Sequence, residues 1–421
     1  LANLALHRVY TLLLSLLIVS ALAVHIWFAI FSNTDLVGDM RAYHDIMIHM
    51  ILHGYYGIGA SPGAYVTPAY PFFLALVFFI WRLFSGPAAP AHGDFVRIVY
   101  SLQQLITLGI PFFSFLIAKE LSNRWAGLVA GFLGVAYLPN NYIGSEMLTE
   151  AIYIPLLLLC LLYAIQCYAK PTLWRLVGLG LLMGLAVLTR PTAVAMILVF
   201  ATLLVLPRPG RGEGHASRSV WLHTALFVGS FLLIMAPWWI RNALSLHRFV
   251  PFSTEGGNPL LLGASPYFRI GQYSLLAMAR DAHLPLETYS LQHIWHGFGM
   301  HFWVYLGWYT IGRIPYYFYS PWLLWGIADS AAFVYFHRLL VITGFLASIF
   351  CLMKPTLRAA GFLTLSLLLI QWPFLPIERY VYPVIVLWSA LIPAVVANYL
   401  QYYKNTITKI SYIKNDYSHP T

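Results

Sequence analysis

Charge is scarce in this chain: Asp, Glu, Lys and Arg together make up 9% of its 421 residues, and cysteine occurs only three times. So little charge, beside 60% hydrophobic residues and a mean hydropathy of +0.73, excludes an ordinary soluble globule. The cysteines, Cys160, Cys167 and Cys351, all lie inside apolar runs, which argues against structural disulfides, and their spacing matches no metal site. Phosphate-binding signals are missing as well. There is no Gly-x-x-x-x-Gly-Lys loop and no Asp-x-Asp pair for a metal–nucleotide complex.

What the chain has in abundance is long apolar runs, at 9–31, 97–118, 125–138, 149–168, 173–189, 191–207, 220–240, 331–353, 359–375 and 381–401. About 20 helical residues cross the ~30 Å hydrocarbon core, and in lipid the backbone must satisfy its own hydrogen bonds, so helices are expected. The fold class expected is an all-α polytopic membrane protein with about ten transmembrane helices, in a range of 10–13. The first run has no small-residue cleavage site behind it and reads as an uncleaved signal anchor.

The net charge of +10 is distributed by side rather than by patch, so a nucleic-acid partner is not expected. In the ten-span arrangement Lys119, Lys170, Lys354, Lys404, Lys409 and Lys414 share one side with Arg8, Arg124, Arg175, Arg208, Arg211, Arg218 and Arg358. By the positive-inside rule that side is cytoplasmic, with the N-terminus inside. On that side only Glu120, Glu213 and Asp416 are acidic; the other eleven of the fourteen acids fall elsewhere, mostly in the opposite loops.

Three regions follow: a transmembrane module over 1–240 with a large first external loop at 32–96, an aromatic-rich external segment at 241–330, and C-terminal helices with a cytoplasmic tail at 331–421. Within the first loop, Phe72–Phe84 is too short to span comfortably and is expected to lie in the interface. Part of the third external segment, about Phe298–Trp325, is expected to lie along the surface too. Gly127/Gly131 and Gly180/Gly184 are spaced for close helix packing.

The external loops carry the chemistry-bearing residues. Asp35, Asp39 and Asp45 fall within eleven residues, directly after the first apolar run. Glu146 and Glu150 open the run at 149–168, where a helix dipole favours acids. Arg190, Arg241 and Arg379 stand at external helix ends, where snorkelling is the structural alternative to binding an anion. Asp39 has an alternative too, as a solvated residue or a helix N-cap. A carboxylate can deprotonate an alcohol for attack, and arginines can hold a leaving phosphate through forked hydrogen bonds. His44, His49 and His53 leave a divalent metal open, since i,i+4 spacing puts His49 and His53 on one helical face.

Gly38-Asp39 with Tyr43, then Gly54 and Pro68-Ala69-Tyr70-Pro71; Ser145-Glu146-Met147-Leu148-Thr149-Glu150; Gly184 to Pro191; Pro237 to Asn242 followed by Phe249 to Asn258; and Arg379-Tyr380 before Pro383 together form a pattern. With these stretches the chain resembles the GT-C superfamily of polyprenyl-phosphate-sugar-dependent glycosyltransferases, in particular the bacterial branch related to protein O-mannosyltransferases and the lipid A aminoarabinose transferase. The resemblance implies a GT-C fold and an inverting transfer from a polyprenyl-phosphate sugar, undecaprenyl-linked in a bacterium. The acceptor expected is extracytoplasmic: a lipid-linked glycan, an envelope polymer or a protein, in that order.

Residue by residue, the resemblance makes Asp39 the first-loop carboxylate that acts as general base or orients the acceptor. Glu146 falls at a second acidic position where Asp is common, with Glu150 as its alternative. Arg190, Arg241 and Arg379 become donor-phosphate ligands. No cofactor is required. No stretch in these residues matches the luminal sugar-binding-like domain of the eukaryotic relatives, so a protein acceptor is not implied. The enzyme would sit in the plasma membrane with its active site outside. A transporter or lipid-linked glycan flippase is the alternative; it predicts ionisable residues or broken helices at mid-membrane, whereas charge here clusters at helix ends. A non-catalytic assembly factor would tolerate loss of the Asp39 charge.

Overall fold

A computed structural model describes residues 2–85, 92–206, 217–322 and 330–416. The expected basic positions Arg208 and Arg211, with Glu213, lie outside the described residues, as does the 323–325 end of the Phe298–Trp325 surface piece. The described residues are helical without strands. In chain order the helices are α1 (Ala2–Phe31), α2 (Asp39–Leu52), α3 (Ala69–Ser85), α4 (His92–Thr107), α5 (Gly109–Leu121), α6 (Arg124–Ala136), α7 (Pro139–Tyr142), α8 (Glu150–Ala169), α9 (Leu173–Thr189) and α10 (Val194–Val205). They continue with α11 (Ser217–Leu246), α12 (Gly257–Gly263), α13 (Gln272–Asp281), α14 (Leu286–Met300), α15 (Phe302–Gly307), α16 (Ile314–Phe318), α17 (Ala331–Met353), α18 (Arg358–Gln371) and α19 (Glu378–Asp416).

Among the described residues, each of the ten apolar runs forms helix over most of its length. Six of these helical stretches are long and apolar enough to cross a membrane unaided: Asn3–Phe31, Gly93–Leu121, Glu150–Ala169, Ser219–Leu246, Ala331–Met353 and Glu378–Ile407. Arg124–Ala136, Leu173–Thr189, Pro191–Val205 and Arg358–Gln371 are shorter. Polar caps and turns claim residues at their ends; Asn123, for example, caps α6 by accepting from the Trp125 and Ala126 amides. The protein is a multi-pass membrane protein.

Helices α8 and α19 run through the middle of the bundle, their residues mostly buried, while α1 and α11 bury few of theirs. Dispersion and small residues must hold such a bundle where lipid removes the hydrophobic drive. Both glycine pairs serve this purpose. A Cβ on Gly180 would strike the Phe227 carbonyl of α11, and one on Gly184 would strike Ile234. Gly131 admits Leu17 of α1, and Gly127 sits 2.8 Å, measured from a would-be Cβ, from the Phe115 carbonyl. Interhelical hydrogen bonds add specificity, among them Tyr382 to Asn140 (3.0 Å) and Trp388 to Ser348 (2.8 Å).

Helix α3 forms where the interfacial piece was expected. It buries Tyr70, Leu74, Val77 and Phe78 and exposes Phe72, Leu76, Phe79 and Leu83. The Phe298–Phe318 part of the second expected surface piece folds as the end of α14, α15, a π turn and α16. Arg313 fixes that segment by donating to the carbonyls of Trp372 (2.7 Å), Phe374 (2.5 Å) and Gly263 (2.5 Å).

Candidate active site

Four helix ends meet at one place. α2 and α19 begin there, α8 begins there with Glu150, and α9 ends there just before Arg190. The chain turns back at Lys170 between α8 and α9, so that basic turn lies about 30 Å away along α8. Gly38, with φ of +53°, turns the chain into α2 in a conformation that favours glycine. Asp39 therefore stands at the first helical position, and its side chain is used elsewhere than in a cap.

Arg379 ties the helix ends together. Its Nη1 donates to Asp39 Oδ2 (2.6 Å), its Nε to Glu150 Oε1 (2.5 Å) and its Nη2 to Glu150 Oε2 (3.1 Å). Arg190 Nη1 donates to the same Glu150 Oε1, and the Thr149 hydroxyl donates to Oε2 at 3.1 Å. Glu150 is wholly buried and collects both guanidinium groups, whereas the Asp39 side chain is 45% exposed. Two cations thus face two carboxylates. Arg190 uses one nitrogen in this pairing and also lies over the rings of Tyr153 and Tyr380.

Asp39, Arg190 and Arg379 line a cavity of about 140 Å³ together with Tyr43, Thr67, Thr189, Glu255 and Tyr380, with Glu150 buried behind the two arginines. Glu255 belongs to the quoted Phe249–Asn258 stretch, but no residue rule singled it out as a site residue. It comes to the cavity because the Thr254 amide donates to the Ala64 carbonyl (2.7 Å) and the Glu255 amide to that of Tyr65 (3.0 Å). Burial pushes the Glu255 carboxyl up to about 7; Asp39 adds to the rise and Arg190 and Arg379 oppose it.

The structure does not bring all the expected site residues together. Arg241 stays on α11 and clamps the first loop, donating to the carbonyls of Gly63 (2.6 Å) and Tyr56 (2.7 Å). Its neighbours do similar work. Trp238 donates to the Phe252 carbonyl (2.7 Å), Trp239 to Pro251 (2.8 Å) and Asn242 to Val250 (3.0 Å). The Pro237–Asn242 stretch is therefore the fastening for the two loops that carry Asp39's surroundings and Glu255. Arg241 lines a larger, mainly apolar cavity of about 750 Å³ with Phe72, Leu185, Leu188, Ile234 and Trp238. The two cavities share a wall, since Thr67 and Thr189 line one while Pro68 and Leu188 line the other.

Glu146 parts from Glu150. It sits in extended backbone before α8 and lines a third cavity, bounded by α1 and the start of α2. Asp35 is exposed beside Asn33, and Asp45 is exposed beside His44. His49 Nδ1 lies 2.8 Å from the Gly57 carbonyl, and the His49 and His53 rings both stack on Tyr55. Among the described residues no group of three His, Cys, Asp or Glu side chains lies close enough to hold a metal ion.

A sequence profile of the family described as dolichyl-phosphate-mannose-protein mannosyltransferase matches residues 67–240. No curated protein matches the chain. Among solved structures, the oligosaccharyltransferase of Archaeoglobus fulgidus in its apo form is similar at a TM-score of 0.55 and 17% identity, over 94% of this chain and 52% of that one. ArnT from Cupriavidus metallidurans bound to undecaprenyl phosphate is similar at a TM-score of 0.43 and 16% identity, over 91% and 78%. The chain thus spans about half the length of the oligosaccharyltransferase whose fold it shares. The chain thus has the fold of that oligosaccharyltransferase, and over residues 67–240 it matches the profile of a membrane glycosyltransferase family.

Proposed function

We propose that the protein moves a sugar from a polyprenyl-phosphate donor to an extracytoplasmic acceptor, by direct displacement with inversion at the anomeric carbon. The observation that carries this reading is Arg379 bonded at once to Asp39 and to Glu150, with Arg190 on the same buried Glu150. The profile match to a family described by a dolichyl-phosphate-linked donor supports the lipid phosphate. The acceptor classes remain a lipid-linked glycan, an envelope polymer or a protein, and the site faces the outer side of the plasma membrane with the N-terminus inside.

In this reading the acceptor's oxygen or nitrogen attacks the anomeric carbon, and its proton passes to Asp39. The bond from that carbon to the phosphate oxygen breaks, and polyprenyl phosphate leaves. Arg190 keeps N–H groups beyond the one on Glu150 and supplies them to the phosphate, with Arg379 beside it. Glu150 acts as a positioning residue that holds both guanidinium groups. Arg241 lies with the prenyl chain rather than the phosphate, because its donors hold the first loop. The 750 Å³ cavity has the apolar lining a prenyl chain requires, and Thr67 and Thr189 separate it from the polar one.

The displacement needs no cofactor; a chelator arm of the assay tests whether a divalent cation assists it. The test is sugar transfer by purified protein in liposomes, with radiolabelled undecaprenyl-phosphate sugars and an envelope extract. Wild type should transfer, and folded Asp39→Asn should lose at least ~100-fold. Equal transfer by both proteins removes Asp39 from the mechanism. Lipid binding without transfer by either protein overturns the enzyme reading in favour of a flippase.

A further inference from the structure

The third cavity, of about 350 Å³, lies between the outer end of α1, the loop before α2 and the α7–α8 connection. It is distinct in chemistry from the cavity of Asp39. Aromatic rings of Trp27, Phe28, Tyr100 and Tyr142 form its walls, Asp35 contributes a second carboxylate, and among the described residues no Lys, Arg or His lines it.

Glu146 lines this cavity too and is only 5% exposed. Its Oε1 accepts from the Tyr142 hydroxyl, but its Oε2 is buried with no hydrogen-bond partner among the described residues. A buried carboxylate oxygen without a partner is costly, and native proteins satisfy nearly all such groups with protein, water or ligand. Desolvation dominates and pushes the carboxyl up to about 7; the Tyr142 hydroxyl and the Arg379 charge oppose the rise and Glu150 adds to it. What would satisfy Oε2 is a donor carried in by a ligand.

We infer that this cavity binds the primary ammonium head of an amphiphile, with the ammonium on Glu146 Oε2, the aromatic walls around it and the apolar body directed past Trp27 toward lipid. Two carboxylates with no lining cation repel a phosphate, so the donor lipid's head is not the occupant. Aromatic faces attract an ammonium by their quadrupole. Trp27 is 53% exposed on α1, which leaves the apolar part of the ligand a lateral route. The assignment does not depend on Asp39 being catalytic.

Binding is measured on the full chain in nanodiscs by isothermal titration, with hexylamine as the probe and hexanol as its uncharged counterpart. Hexylamine should bind saturably and hexanol should not. Glu146→Gln should weaken hexylamine at least ~10-fold, and Val37→Trp, which fills the mouth from an exposed loop position, should do the same without touching the carboxylate. Arg190→Ala, in the other cavity, should leave hexylamine binding unchanged. Equal binding of amine and alcohol, or full binding by the two folded variants Glu146→Gln and Val37→Trp, overturns the inference. Competition by undecaprenyl phosphate would overturn it too, since the cavity would then belong to the donor.

Discussion

Asp39 and Arg379 stand 340 positions apart in the chain and meet at 2.6 Å, while the same guanidinium reaches Glu150 through Nε and Nη2. A planar fork can hold two carboxylates in fixed directions at once; the single ammonium of lysine cannot. Arg379→Lys is therefore expected to lower kcat roughly 10- to 100-fold, with a smaller change in donor affinity, because Asp39 loses its orientation while the positive charge remains. Steady-state transfer kinetics with donor titration separate the two quantities. A change confined to KM would mean that Arg379 serves the donor phosphate alone and does not orient Asp39.

Glu150 supports a different prediction because it is wholly buried and faces two cations. Removing one partner from a buried ion cluster costs about 3–5 kcal/mol, since the remaining charges lose their compensation. Glu150→Gln should destabilise the protein on that scale in detergent denaturation. Asp39→Asn, at a half-exposed side chain, should change stability far less while abolishing transfer. Equal stability of the two variants would mean that Glu150 does not organise the arginines.

Glu255 gives the site a pH dependence. A carboxyl raised to about 7 from an ordinary 4.5 binds its proton more tightly in the folded state. The stability it contributes is complete below about 4.5 and falls as pH rises through about 7. The proposed donor is a phosphodiester whose single negative charge does not change over that range. Ionising Glu255 beside Asp39 should thus weaken donor binding roughly 5- to 10-fold between pH 6 and pH 8. Glu255→Gln should flatten the profile and Glu146→Gln should not. A profile unchanged in Glu255→Gln would place the titrating group elsewhere.

The apolar helices were legible because each lies in an apolar run, although only six are long enough to cross a membrane unaided, and the glycine pairs because i,i+4 spacing fixes one face. Asp39, Arg190 and Arg379 were legible as external charges at helix ends in a chain with few charges. The bond of Asp39 to Arg379 and those of both arginines to Glu150 were not, since they depend on how α2, α8, α9 and α19 converge. Glu146 and Glu150 have the spacing of one helical face, yet Glu146 has φ of −120° and ψ of 131°, so the helix begins too late to pair them. Glu255 lay hidden in a loop because the amide bonds that carry it inward, to the carbonyls of Ala64 and Tyr65, join segments far apart in the chain. Arg241 reads from sequence like the other external arginines; only its two carbonyl partners set it apart.

The glycine at 184 should tolerate no side chain. Ile234 of α11 occupies the place where a Cβ would stand, and the two helices are packed along their length. Overpacking of this kind typically costs about 1–3 kcal/mol. Gly184→Leu should lower the melting temperature, and the added Ile234→Ala should recover part of the loss. Absence of any recovery would show that the strain lies elsewhere on α9.

Arg241 offers the sharpest test of how the two loops are held. If its charge served the donor phosphate, Arg241→Lys would keep most of the donor affinity. As a fork between the Gly63 and Tyr56 carbonyls, it should lose its function in lysine almost as fully as in alanine. Each bond from a charged donor contributes about 1.5–3 kcal/mol, so both variants should free the segment between Gly54 and Val66. Limited proteolysis would detect that release as new cleavage there, and transfer activity should fall in parallel because Glu255 is bonded to the same loop through Tyr65. Protection retained in Arg241→Lys, together with donor affinity retained, would return this arginine to the phosphate.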